Sequence, residues 1–202
     1  MTGSRIGALV AMLAISAAAA CSRNSAYMSG GDVDLSMATP ATLTSTEVTM
    51  LRQMSDADII GHMIAVDSLE MALSDTALKV VKQGMVSAYA KQMHLAHDDD
   101  WKSLKDVASS TGLIPTRDVS RLRFSHVAAG VDSVRKTSDL TTDQQFMRAQ
   151  IELHAHALAE LQTLQSVPRS AALRQHIAAM IPVVQDHLAR ARAMAKPLGI
   201  DK

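Results

Sequence analysis

Four residues of metal-binding type, Glu70, His97, His154 and His187, stand where apolar residues are expected. Each interrupts a run of residues spaced three and four apart, the period of one helix face. Near the C-terminus the run is Ile177, Met180, Val184, His187, Ala191 and Met194. The second run is Ile59, Met63, Val66, Glu70, Leu73, Ala77 and Val80. The third is Val86, Ala90, Met93, His97, Trp101 or Asp100, Leu104 and Val107. The fourth is Met147, Ile151, His154, Leu158 and Leu161. Neutral imidazoles and ionised carboxylates are ligands for iron, zinc, copper or manganese. One such group from each of four helices, near mid-length, would build a metal site in a bundle core. The competing reading is a Glu/His hydrogen-bond network that only satisfies buried polar groups, since an unpaired buried carboxylate is costly. No Glu-x-x-His pair is present, so the carboxylate di-iron pattern is missing.

Spacing ties two of these residues together. Glu70 lies about 13 residues before the Gln83-Gly84 break and His97 about 13 after it, so both sit about 20 Å from one turn. His154 and His187 match less well about Pro168, with an expected offset of roughly 7 Å. Other polar residues rank lower. His94 is one turn from His97 and could support it. His62, His156 and His176 read as boundary or flank positions. Asp98-Asp99-Asp100 reads as a solvated face, and most methionines of the domain fall on the apolar runs as core filling. No Gly-rich phosphate loop, Ser/His/Asp order or catalytic cysteine can be argued, and no reaction or substrate follows.

The elements that must position these groups are helices. Aromatic residues are 2% of the chain, which disfavours sheets. A first long helix starts near Ser55, whose spacing to Asp58 fits a capping box. Gln83-Gly84 ends it and can supply a left-handed turn. A second runs from about Met85 to Thr111, stopped by Gly112 and Pro115. A third starts at Thr141 or Thr142, and a fourth runs from the Ser166-Val167-Pro168 turn to about Lys196. Pro182 inside it predicts a kink. Residues 112–140 form a long connection with a possible short helix around His126–Val134. That length can cross the whole bundle, laying the third helix parallel to the second in ferritin-like fashion. The predicted fold is therefore an all-α, ferritin-like four-helix bundle over residues 47–199.

The N-terminus reads differently. Arg5 followed by the apolar Ile6–Ala20 is a secretory leader, too short for a comfortable membrane span. Ala18-Ala19-Ala20-Cys21 resembles a bacterial lipoprotein signal in which Cys21 is lipidated, although Ala18 replaces the usual leucine. Plain cleavage beside Cys21 is the alternative. Residues 22–46, rich in Ser, Thr, Gly and Ala, predict a flexible tether, with a helical turn or two over 46–54. The expected location is the periplasm, with a lipid anchor in the outer membrane. Lysine plus arginine and aspartate plus glutamate balance at 20 each, which argues against nucleic acid as a partner. No protein partner can be named.

Several stretches together resemble a bacterial ferritin-like family catalogued as domain of unknown function 4142. Val86-x-x-Tyr89-Ala90-x-x-Met93-x-x-x-His97 is similar to its second-helix motif, with Glu70 at the expected distance upstream. Phe146-Met147-x-Ala149-x-Ile151-x-x-His154 and Ile181-Pro182-x-x-x-x-His187-Leu188 resemble its third- and fourth-helix motifs. The family usually has aspartate where this chain has Ala96. The resemblance implies a four-helix fold, an exported location and Glu70, His97, His154 and His187 as a polar core. It implies no reaction. The expectation is a lipid-anchored bundle with a Glu/His metal site, serving metal storage, sensing or oxidative defence. The alternative is a non-enzymatic envelope module whose polar core is only structural.

Overall fold

A computed structural model describes residues 33–116 and 140–200. The leader, Cys21, the first part of the tether and the short helix expected near 126–134 lie outside the described residues. Among the described residues the secondary structure is entirely helical. A 3-10 turn, Leu35–Met37, precedes α1 (Ser45–Arg52), α2 (Asp56–Val80), α3 (Gly84–Thr111), α4 (Thr142–Leu164) and α5 (Ala171–Ala195). A second 3-10 turn, Lys196–Leu198, ends the chain's last helix.

Local chemistry sets these boundaries. Thr44, Ser55 and Thr141 each head a helix with a reciprocal capping box, closed by Glu47, Asp58 and Gln144. Gly112 ends α3 at φ 68°, where a residue with a Cβ would be strained. The α2–α3 turn is built otherwise than expected. Gly84 has no left-handed φ and is the first residue of α3. Val81 and Gln83 are extended instead. The buried Asp143 carboxylate accepts from the Lys82 amide at 3.2 Å and the Gln83 amide at 2.9 Å. A carboxylate from α4 thus does the work expected of a glycine.

The long helices form two antiparallel pairs, α2 with α3 and α4 with α5, and α3–α5 and α2–α4 contacts join the pairs. Hydrogen bonds fix their directions. At one end Thr142 donates to the Val80 carbonyl (3.1 Å), and Gln144 Nε2 donates to the Leu198 carbonyl (2.8 Å). At the other end the Thr116 amide donates to the Ala57 carbonyl (3.0 Å). There Asp56 also accepts from the Arg169 and Ser170 amides at 2.9 and 2.7 Å. The starts of α3 and α4 share an end, so these helices run parallel. The chain leaving α3 crosses α2 at Gly61, where a Cβ would overlap the Thr116 carbonyl. Pro182 lies on the exposed face of a helix that continues through it. Part of the expected tether is attached. Arg192 donates to the Met37 carbonyl and, at 3.0 Å, to that of Thr39, and the Ala41 amide donates to the Ala155 carbonyl at 2.8 Å.

The buried rows follow the sequence on α4 and α5, where every expected position is buried. On α2 they do not. Val66 and Leu73 are half-buried and Val80 is exposed, while Asp67, Glu70 and Ser74 are buried. On α3, Asp100 and Ala108 are buried in preference to Trp101 and Val107. The core therefore holds more polar groups on α2 and α3 than an apolar count selects.

Candidate metal centre

Three of the four expected residues meet. One ring nitrogen from each of His97, His154 and His187 lies within 4.8 Å of the others, and all three residues are buried. Ring centroids are 5.7 Å apart for His97–His154, 6.1 Å for His97–His187 and 5.3 Å for His154–His187. The offset expected for His187 does not appear. Residue counting treated the turn as a point, whereas residues 165–170 are an irregular stretch pinned to Asp56. Tyr89 on α3 further holds α5 at this level, donating its hydroxyl to the His187 carbonyl at 3.1 Å.

Glu70 needs a correction. It is buried, but its Oε2 accepts from Gln150 Nε2 on α4 at 2.7 Å, and it is not a member of the converging group. The group across the turn from His97 is Asp67, one helical turn earlier, whose Oδ1 lies 2.8 Å from His97 Nδ1. Glu70 instead contributes charge, which favours protonation of both His97 and His154. Sequence reasoning missed Asp67 and Gln150. The spacing signal existed: Met63, Asp67, Glu70, Ser74 and Ala77 continue one face as well as Met63, Val66, Glu70, Leu73 and Ala77 do. Gln150 is four residues before His154, on the same face.

The hydrogen bonds orient the rings. The Gln150 carbonyl can only accept, so His154 Nδ1, 2.9 Å away, carries the proton and Nε2 keeps its lone pair. Asp67 on Nδ1 of His97 does the same for that ring when the imidazole donates. The nitrogens left without a hydrogen-bond partner are His97 Nε2, His154 Nε2 and His187 Nδ1, one per ring. Unsatisfied buried nitrogens each cost on the order of 1–3 kcal/mol.

Electrostatics keeps two of the rings basic but uncharged. Burial lowers His154, with the neighbouring His97 adding to it against the opposing field of Glu70. Burial lowers His187 well below the usual histidine range, and the other two rings push the same way. Burial also disfavours charge on His97, but the Asp67 hydrogen bond and the fields of Glu70, Asp67 and Asp100 outweigh it and raise the group. Burial raises Asp67 to about 7 against the hydrogen bond and charge of His97. Two carboxylates, Asp67 and Glu70, therefore lie beside the three imidazoles.

Three further histidines among the described residues sit elsewhere. His94 faces Asp75 at 3.0 Å and does not support His97. His62 faces Glu160 at 2.9 Å, and His176 faces Asp100 at 2.9 Å. Asp100, expected on a solvated face, is buried by that pairing.

Known proteins add fold and family. No curated protein matches the chain. The crystal structure of a DUF305 fragment from Deinococcus radiodurans resembles it with a TM-score of 0.56 at 18% identity, over 79% of this chain and 98% of that chain. At that identity the likeness is one of fold. Residues 40–194 match the family described as Domain of unknown function (DUF4142), three-quarters of the chain, and the protein belongs to that family.

Proposed function

We propose that this protein binds one divalent transition-metal ion at mid-bundle through His97, His154 and His187. The observation that carries this reading is the set of three buried, unpartnered ring nitrogens on three helices, within 4.8 Å of one another. Bonds of about 2.1 Å at tetrahedral angles put ligand atoms roughly 3.4 Å apart, so each ring moves inward by about 1 Å or less. Three neutral imidazoles suit zinc, copper or iron and leave a coordination position open. Asp67 and the Gln150 carbonyl fix two of the rings from behind, as outer carboxylates and carbonyls do for metal-bound histidines. Glu70 balances charge from one layer further out.

The parallel α3 and α4 and their long connection support a ferritin-like four-helix bundle as the frame. The leader and Cys21 support export and a lipid anchor in the outer membrane. The role is metal handling in the periplasm, with no reaction assigned. Cobalt(II) titration of chelator-treated protein tests the site. Wild type is expected to bind one equivalent and to develop the visible absorption of a low-coordinate histidine site. His154→Ala should abolish both while the far-ultraviolet circular dichroism stays helical. Equal uptake by the variant, or none by wild type, would refute the reading.

A further inference from the structure

Five large apolar side chains among the described residues are exposed, and four of them gather at one end. Leu78, Val80 and Met85 flank the α2–α3 turn, and Leu35 lies on the chain leading into the domain. Exposed Lys79 and Lys82 alternate with them, and exposed Lys196 stands at the end of α5. These pieces share one end of the molecule. Thr142 is bonded to Val80, Asp143 to Lys82 and Gln83, and Gln144 to Leu198. Arg192 holds the 37–39 backbone, and the charge of Lys196 acts on Asp34.

We propose that this end is a docking surface for an anionic lipid bilayer: Leu78, Val80 and Met85 enter the headgroup region, and Lys79, Lys82 and Lys196 pair with lipid phosphates. Three observations favour a membrane over other occupants. First, interleaved apolar and basic side chains match a surface that is apolar below and anionic above. Second, the Lys82 and Gln83 amides at the turn are already bonded to Asp143, so entry into a poorly hydrated layer strands neither donor. Asp143 itself is buried beneath the turn. Third, the chain joins the domain at this same end. Eleven residues lie between Cys21 and Val33. A lipid on Cys21 would therefore attach the domain through this end. The proposal deepens the anchored reading above by saying which face meets the membrane.

Depth-sensitive fluorescence tests it on the full chain isolated from host membranes. In a Trp101→Phe background, a reporter tryptophan is introduced by Val80→Trp at the turn or by Ile114→Trp at the far end. Ile114 is the fifth exposed apolar side chain, at 85% exposure. Each protein is reconstituted into vesicles of phosphatidylglycerol and phosphatidylcholine carrying brominated acyl chains. Quenching is expected to be several-fold stronger for Val80→Trp than for Ile114→Trp. It should fall when phosphatidylglycerol is omitted or when Lys79→Glu and Lys82→Glu are added. A vesicle-bound chain with equal quenching at the two sites overturns the docking surface and leaves the anchor standing. A chain that does not stay with vesicles overturns both. A Val80→Trp emission that is blue-shifted in lipid-free detergent, with the chain dimeric, assigns the patch to a second copy and also overturns the proposal.

Discussion

Two sets of buried or half-buried histidines occupy this fold, and their neighbours differ. At the periphery three rings face a carboxylate: His62 with Glu160, His94 with Asp75, His176 with Asp100. At the centre His97, His154 and His187 face one another. A carboxylate facing an imidazole offers an acceptor and a counter-charge. A proton on any central ring repels one on the next, so protons cannot satisfy the trio together. A cation with three empty orbitals can. Burial alone does not divide the sets, because His62 is as buried as the central rings. The identity of the facing group separates a structural pair from a ligand set.

The largest test of that distinction is metal itself. Zinc at about a thousand times its dissociation constant should raise the unfolding free energy of wild type by about 4 kcal/mol, since it binds only the folded chain. His154→Ala and His187→Ala should lose this increment. His62→Gln and His176→Gln should keep it, whatever they cost in the absence of zinc. Urea unfolding with and without zinc measures all five proteins. Loss of the increment in a peripheral variant would erase the contrast drawn here.

A smaller effect probes the one central ring that also has a carboxylate. Asp67 belongs to both patterns: it pairs with His97 at 2.8 Å and orients it toward the other two rings. Asp67→Asn should lower metal affinity tenfold to a hundredfold, the usual consequence of removing a carboxylate behind a metal-bound histidine. Glu160→Gln, which alters a peripheral pair, should leave affinity unchanged. Competition against a chelating dye reads both.

The helices were legible because their signals are local. Capping boxes at Ser55 and Thr141, the Gly112 stop and the three-four spacing all act within a few residues. The three histidines were legible because a polar residue on an apolar face stands out. Asp67 was not, because its apolar neighbour Val66 fits the three-four spacing equally well, and burial of a carboxylate depends on His97 arriving from α3. Glu70 was placed in the ligand set for the opposite reason. Equal distance from the turn put it level with His97, but Gln150 on α4 claims its oxygen, and no count along α2 reveals a partner on another helix. The α2–α3 turn failed similarly: its geometry comes from Asp143, some sixty residues away in sequence.

The smallest expected effect is the pH dependence of the metal-free protein, and its sign follows from the same comparison. His154 and His187 are held below 6.5, the ordinary histidine value, chiefly by burial. Asp67 is held at about 7, above its ordinary 3.8, again chiefly by burial. His97 is raised, so it is protonated in both folded and unfolded chains below 6.5 and drops out. Below 6.5, and above the lowered folded values, the unfolded chain binds protons on His154 and His187 that the folded chain refuses. The folded chain keeps one on Asp67 that the unfolded chain lacks. Two less one leaves at most one excess proton on the unfolded side, so stability falls with acid by up to about 1.4 kcal/mol per pH unit. The fall begins just below pH 6.5 and stops where the lowered histidines charge. Asp67→Asn removes the opposing proton and also the hydrogen bond that raises His97, so the slope should steepen. His154→Leu with His187→Leu should reverse its sign, because only Asp67 then differs between the states. Urea midpoints from pH 7 to pH 5 decide the matter, and a flat wild-type profile would mean that burial does not hold the central rings neutral.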